Sequence, residues 1–198
     1  MLRRVLRRVG RWFSPTTLVL AGLCFTLPFV TVACDTPGGF GRVAPGGTTT
    51  YTGLDIATGD EPTVSPPDKV RPQSQWRDDR LAPQPVATIT LLLILAGAVA
   101  TVVATDVRVR RASATAFATG AAVLLVVNQA LVESSLTTMV GEQITTPLPA
   151  GKVVRDYVQT GEGFGFCLVL LLATTAANAI GLFRARPRAL PVTQELEL

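Results

Sequence analysis

Long apolar stretches alternate with polar ones along the chain. Four of these stretches contain no Asp, Glu, Lys or Arg, and they cover residues 15–33, 86–105, 113–132 and 164–183. A helix needs about 20 residues to cross a bilayer, and a single charged residue at its centre costs about 2.5–3.5 kcal/mol. The pattern therefore predicts an all-α membrane protein, with four transmembrane helices packed as a bundle.

The charges between these stretches predict an orientation. Residues 1–14, 106–112 and 184–198 together hold eleven basic and three acidic residues, whereas loops 34–85 and 133–163 hold seven basic and eleven acidic ones. Cytoplasmic loops of membrane proteins carry an excess of Arg and Lys. We therefore expect both termini in the cytoplasm and both long loops outside, in a multi-pass protein of a bacterial inner membrane.

The two outer loops predict a small extracytoplasmic cap on a single membrane domain. Residues 48–59 (TTTYTGLDIATG) are rich in β-branched residues, which favours a short strand with Gly53 as a turn or bulge. Residues 152–158 predict a short strand or a turn of helix, and the third span is expected to continue past the membrane until Pro147 stops it. The alternative for loop 34–85, which is rich in Pro and Gly, is a flexible spacer.

The composition argues against most chemistry. The chain is 48% hydrophobic, has a net charge of +4 and contains no histidine, the commonest general base and metal ligand. The acidic residues of the outer loops lack the regular spacing of a calcium loop. The arginines form no face with interleaved aromatic residues, which argues against nucleic-acid binding. We therefore predict no catalytic residue, no metal site, no cofactor and no nucleic-acid partner.

Small residues at intervals of four predict close helix packing within the bundle. They are Ala96, Ala100, Ala116, Gly120, Ala173, Ala177 and Gly181. Asn128 and Asn178 are the asparagines within the spans, and each is expected to hydrogen-bond a neighbouring helix, worth about 0.6–2 kcal/mol. Association of several copies into a homo-oligomer is an open alternative.

Cysteine positions allow two interpretations of the end of the first span. Cys34 and Cys167 lie at similar predicted depth on the outer side, so a disulfide between them is one hypothesis. The other is cleavage and lipidation at Cys34, because a basic start, an apolar run and Val-Ala before the cysteine are typical of a lipoprotein signal. Gly161, Gly163 and Gly165, before the last span, predict close backbone packing at its start.

Three short segments resemble a pattern found in small, uncharacterised bacterial four-span membrane proteins. They are LPFVTVAC at 27–34, YTGLDIATG at 51–59 and GEGFGFCLVLLL at 161–172. In that family the first helix ends in Leu-Pro-Phe-x-x-Val-x-Cys. The resemblance implies an uncleaved first helix, and it transfers neither an activity nor catalytic residues.

The sequence thus predicts a non-enzymatic accessory or interaction subunit, whose partners are the lipid bilayer and another membrane or envelope protein bound through the outer loops. Two alternatives stay open. One is a small transporter or channel subunit that works as an oligomer, and the other is an envelope protein lipidated at Cys34.

Overall fold

The computed structural model describes residues 2–34, 40–69, 78–144 and 148–184, and within these ranges the side chains of residues 2–11, 34 and 45 lie outside the description. The helices are α1 Leu2–Leu23, α2 Gly53–Thr58, α3 Pro85–Val103, α4 Val107–Gln143 and α5 Glu162–Arg184. The strands are β1 Pro28–Cys34, β2 Val43–Thr52, β3 Thr63–Pro67 and β4 Val158–Thr160. Short 3-10 helices cover Cys24–Thr26 and Val154–Tyr157.

Three helices, α3, α4 and α5, are long and apolar enough to cross a membrane. Their outward faces carry apolar side chains such as Val99 and Val169, which are 62% and 64% exposed. A surface of this kind is unfavourable in water and suits lipid. With its 37 residues, α4 is about 55 Å long at 1.5 Å per residue, well beyond the roughly 30 Å of a hydrocarbon core. The predicted extension of this helix past residue 132 is confirmed, and it ends at Gln143.

The first apolar stretch is only partly helical. Its apolar helical segment, Trp12–Thr26, is shorter than the other three, and the chain then becomes strand β1. The prediction of one helix over residues 15–33 is therefore wrong from Leu27 onward, and a fourth span of full length is not confirmed. Leu27 is extended (φ −92°, ψ 163°), as expected for a residue before a proline. The β-branched residues that follow Pro28 suit a strand better than a helix.

The strands form an antiparallel sheet in the order β3-β2-β1-β4. Val30 in β1 lies opposite Tyr51 in β2 and Thr160 in β4, so β1 is paired along both of its edges. Side chains of Val30 and Val32 are fully buried while Thr31 between them is partly exposed, which is the alternation of a strand with one face on a core. Of the two predictions for residues 152–158, a short strand or a turn of helix, the turn is correct for Val154–Tyr157, and strand β4 begins only at Val158.

The strand predicted over residues 48–59 is correct only as far as Thr52. From Gly53 the chain forms α2, because Thr52 and Asp55 make a reciprocal capping box. Gly53 is thus the first helical residue and not a turn or bulge. Gly59 ends α2 with a left-handed φ of +77°, a conformation that glycine adopts at no steric cost.

Strands β1–β4 and α2 pack at one end of the long helices, together with the described loop residues that connect them to one another and to α3, α4 and α5. We call this unit the cap. One hydrophobic core runs through the cap and the bundle. It includes Val30 and Tyr51 from the sheet and Leu18, Ile94 and Leu171 from the helices. For the described residues, loop 34–85 is therefore a folded unit and not a flexible spacer.

Candidate functional site

The bundle meets the cap at a junction around Pro28. Gly161, just before α5, donates its N–H to the Phe29 carbonyl over 2.7 Å. A Cβ on Gly161 would overlap the Pro28 oxygen, and one on Gly163 would lie 2.8 Å from that oxygen. Close backbone packing at the start of the last span is confirmed for these two glycines. Gly165, in contrast, faces open space.

Phe29 links three elements at this junction. Its ring packs edge-on against Phe25, with centroids 5.0 Å apart, and against Phe164 in α5 at 6.5 Å. A Cβ on Gly53, the first residue of α2, would overlap the Phe29 ring. The end of α1, the start of α2 and the start of α5 therefore close around one aromatic side chain.

A buried carboxylate organises the charged side of the cap. The Asp79 side chain is only 3% exposed, and its Oδ2 lies 3.0 Å from Nε of Arg42. Arg42 also pairs with Glu61 at 2.8 Å, and Glu61 pairs with Arg80. The buried Tyr51 hydroxyl donates to the Asp79 carbonyl over 2.5 Å. Because a buried charge is tolerated only when it is paired, this network fixes the chain around Asp79 against β2.

Polar contacts fix the cap to the long helices. At the end of α4, the Gln143 side chain accepts from the Gly41 N–H at 3.1 Å and donates to the Asp78 carbonyl at 2.9 Å. Before α3, the Gln84 N–H donates to the Ile56 carbonyl of α2 at 2.9 Å. Together with the junction on α5, these bonds hold the cap on three helices at once.

Helices α1 and α5 are joined by buried polar side chains. Ser14 donates its hydroxyl to Oδ1 of Asn178 over 3.0 Å, and Thr174 donates to the hydroxyl of Thr17 over 2.8 Å. The interhelical bond expected of Asn178 is therefore present. Asn128 differs, because its side-chain oxygen is buried and has no hydrogen-bond partner among the described residues.

The predicted small-residue stripes do not form the helix seams. The exposed members are Ala96, Ala116, Ala173 and Ala177. Ala100 and Gly120 are half-buried, and a Cβ on Gly120 would meet open space. The α3–α4 contact lies instead at Gly97, where a Cβ would come within 2.7 Å of the Phe117 Cβ. The contact between α3 and α4 is set by this close approach. The contact between α1 and α5 is set by the hydrogen bonds of Thr174 and Asn178, so the α5 face that carries Ala173 and Ala177 stays exposed.

Charged groups organise the end of the bundle opposite the cap. Arg111 in α4 donates to the Gly181 carbonyl near the end of α5 at 2.8 Å. Gly181, the last of the predicted packing residues, therefore contacts a guanidinium rather than a helix backbone. Asp106 caps α4. Its pKa is lowered by the backbone N–H donors of Val109 and Arg108, and less by the positive charge of Arg108.

The predicted Cys34–Cys167 disulfide is absent, because Cys167 is a free, buried thiol that contacts the Ala21 carbonyl of α1 at 3.4 Å. Cys34 ends β1 opposite Gly47, and its side chain lies outside the described part. The strand carries Cys34 away from the helices, whereas Cys167 points into the α1–α5 contact. Cys24 is also a free, buried thiol.

A polar recess lies on α4 just beyond its apolar segment, with a volume of about 380 Å³. We call it the Glu133 recess, and its walls are Ala130, Glu133, Ser134, Thr137, Thr138 and Arg155. Oε1 of Glu133 accepts from Gln129 at 2.9 Å and from Thr160 at 2.8 Å. Oε2 lies 3.8 Å from Nη2 of Arg155, whose side chain is 79% exposed. The recess thus holds one carboxylate and one guanidinium at its rim.

A second depression, of about 450 Å³, lies between α4 and α5 and is almost wholly apolar. We call it the α4–α5 groove, and its walls include Thr119, Val123, Val126, Val127, Leu168, Leu172 and Thr175. The hydroxyls of Thr119 and Thr175 lie 3.4 Å apart, so they satisfy each other at one end.

Comparison with protein-family models, with curated proteins and with solved structures finds no match to this chain. The site must therefore be interpreted from its own geometry. Within the described ranges no three Cys, Asp or Glu side chains gather as metal ligands. The contacts that define the cap join residues far apart in the chain, and no local sequence signal predicts them. Arg42 and Asp79, for example, are 37 positions apart.

Proposed function

We propose that this chain is a four-span membrane protein with its cap on the extracytoplasmic side. Three helices meet the length and hydropathy of a span. Support for α1 as a fourth, short span comes from its partners on α5. Ser14 of α1 contacts Asn178, and Ala21, two turns later, contacts Cys167. Since these α5 residues lie within its apolar segment, α1 crosses much of the same depth beside it.

The orientation follows from charge. The start of α1, residues 106–112 and Arg184 lie at the end of the helices opposite the cap, and the sequence of these segments is rich in arginine. By the positive-inside rule that end faces the cytoplasm. A cysteine-accessibility experiment in a Cys34→Ser background tests this orientation: a membrane-impermeant maleimide should label Ser65→Cys on the cap in intact cells, and should leave Asp106→Cys unlabelled until the membrane is opened.

The fold also supports retention of the first helix. Cleavage before Cys34 would remove nearly all of β1, an inner strand that is paired with both β2 and β4. It would also leave the buried Thr174 and Asn178 without their partners on α1. The intact mass of the purified protein tests this point, because loss of residues 1–33 would support the lipidated alternative.

The function that the geometry supports best is that of a non-enzymatic interaction subunit, whose cap presents a binding surface to another membrane or envelope protein. The observation that carries the proposal is the attachment of the cap to α3, α4 and α5 by Gln84, Gln143 and Gly161. A surface held on three helices keeps one shape, and a preformed surface loses little entropy when a partner binds.

The cap also exposes apolar side chains outside the apolar helical segments, Leu54 at 38% and Val153 at 59%. The test is photo-crosslinking in intact cells with a photoreactive residue at Leu54 or Val153, and at Val99 on α3 as a matched control. We expect one discrete adduct, with the same partner, from the two cap positions and not from Val99. Adducts between copies of the chain alone, with solute flux through the purified oligomer, would favour a transporter or channel subunit instead.

A further inference from the structure

The α4–α5 groove and the Glu133 recess lie on the same face of α4. Among their α4 residues a series recurs at intervals of three or four: Thr119, Val123, Val126, Ala130, Ser134 and Thr137. Residues at this spacing are neighbours along one side of a helix. An apolar depression within the membrane span therefore lies on the same side of α4 as a polar recess nearer the cap.

This surface is long enough to cover one leaflet. From Thr119 to Glu133 the helix rises about 21 Å, at 1.5 Å for each of 14 residues. Half of a hydrocarbon core is about 15 Å thick. With Glu133 at the boundary, the groove reaches about 6 Å beyond the middle of the bilayer, so it spans the depth occupied by an acyl chain, and the recess lies at the level of the headgroups.

The hydrogen bonds within the recess define what it can accept. Thr137 and Thr138 donate their hydroxyl protons to the carbonyls of Glu133 and Ser134, at 2.6 and 3.0 Å. Each hydroxyl is then left with lone pairs, which accept hydrogen bonds and do not donate them. With Oε2 of Glu133, they form a set of acceptors suited to a primary ammonium group. Arg155 supplies the neighbouring cation, whose fork of donors suits a phosphate.

We propose that this surface binds one phospholipid with a primary ammonium headgroup, a phosphatidylethanolamine, with an acyl chain in the α4–α5 groove and its headgroup in the Glu133 recess. The ammonium contacts Glu133 and the threonine hydroxyls, and the phosphate contacts Arg155. This inference goes beyond the proposed function, because it concerns the lateral face of the bundle and not the surface of the cap.

Native mass spectrometry of the full-length protein, released from micelles with defined lipids, tests the proposal. The probes are phosphatidylethanolamine, phosphatidylcholine and phosphatidylglycerol with identical acyl chains. A quaternary ammonium has no N–H to donate, and a glycerol headgroup has no cation. We expect a single-lipid adduct with about tenfold preference for phosphatidylethanolamine, equivalent to about 1.4 kcal/mol. Equal retention of all three lipids would show annular lipid only and would overturn the proposal.

Substitutions test which side chains contact the headgroup and the acyl chain of the lipid. Glu133→Gln should abolish the preference for phosphatidylethanolamine over phosphatidylcholine, and Arg155→Gln should weaken binding of both. Glu142→Gln, an equal loss of charge elsewhere on α4, should change neither. Leu172→Trp should fill the groove and lower retention of every lipid, whereas Val99→Trp on the exposed face of α3 should not. Unchanged lipid selectivity in Glu133→Gln would also overturn the proposal. If a variant fails to fold, the comparison of the three lipids on the wild-type protein still tests it. The lipid-binding results and the crosslinking of the cap are independent, so each proposal can fail without the other.

Discussion

The junction around Pro28 yields a sharp prediction, because two glycines four residues apart in one segment differ completely in their surroundings. Gly161 packs against the chain at Pro28 so closely that a Cβ would overlap a backbone oxygen. Gly165 would place the same Cβ in open space. The same substitution, glycine to alanine, should therefore have opposite effects on stability at the two positions.

The magnitude follows from the contacts. Overpacking by one methyl group typically costs about 1–3 kcal/mol, and here the neighbour is backbone, which cannot rotate away. The shift must also strain the hydrogen bond from Gly161 to Phe29, itself worth about 0.5–1.5 kcal/mol. We expect Gly161→Ala to lower the free energy of unfolding by about 1.5–4.5 kcal/mol. Gly165→Ala should raise it by up to about 1 kcal/mol, because alanine favours the helix.

The assay is equilibrium unfolding in mixed micelles, with a denaturing detergent added to a mild one and helix content followed by circular dichroism. Both variants are compared with wild type at the same total detergent concentration. If Gly161→Ala proved as stable as Gly165→Ala, the close approach of α5 to Pro28 would be refuted, since no other difference between the two sites predicts a gap of this size.

Three further predictions test other contacts by the same unfolding assay. Asn178→Ala should lower the free energy of unfolding by about 0.6–2 kcal/mol, and a double-mutant cycle with Ser14→Ala should show coupling, whereas additive effects would exclude the bond. Gly97→Ala should lower the free energy of unfolding by about 1–3 kcal/mol because a methyl group has no room there, whereas Gly120→Ala, in open space within α4, should raise it by up to about 1 kcal/mol. Asp106 has a pKa below its ordinary value of about 3.9 because two backbone N–H groups of α4 donate to its carboxylate. Its contribution to stability is thus complete above that value and is lost as the pH falls through its pKa in the folded state. The difference in stability between wild type and Asp106→Ala should therefore shrink at acidic pH, and a constant difference would contradict the cap.

Helices α3, α4 and α5 could be predicted from sequence because about 20 consecutive uncharged residues permit few other structures in a membrane. The end of α1 could not, since an apolar run such as Phe29–Cys34 suits a buried strand as well as a helix. The choice was made by Pro28, which leaves Leu27 extended, and by pairing with β2, whose residues lie about 20 positions away. Hydrophobic periodicity within one segment contains no information about such a partner.

The phase of the helix seams was unpredictable for a related reason. Alanine is frequent on every side of α3, α4 and α5, so a stripe of small residues can be drawn on several faces. The face that is buried on α5 is the one that carries Thr174 and Asn178, because their hydrogen bonds to α1 are strong where water is absent. Those partners are 157 and 164 residues away in the chain. A polar residue within a span is therefore a better guide to the seam than a repeat of alanines.

The three segments that carry the family resemblance have one location in space. LPFVTVAC contains Pro28 and Phe29, YTGLDIATG contains Gly53, and GEGFGFC contains Gly161 and Gly163, all of which meet at the junction. Each glycine there leaves room for the ring of Phe29 or for the backbone at Pro28. A set of short motifs is often interpreted as an active site. Here steric demands at the point where a helix becomes a strand account for the residue types of all three segments.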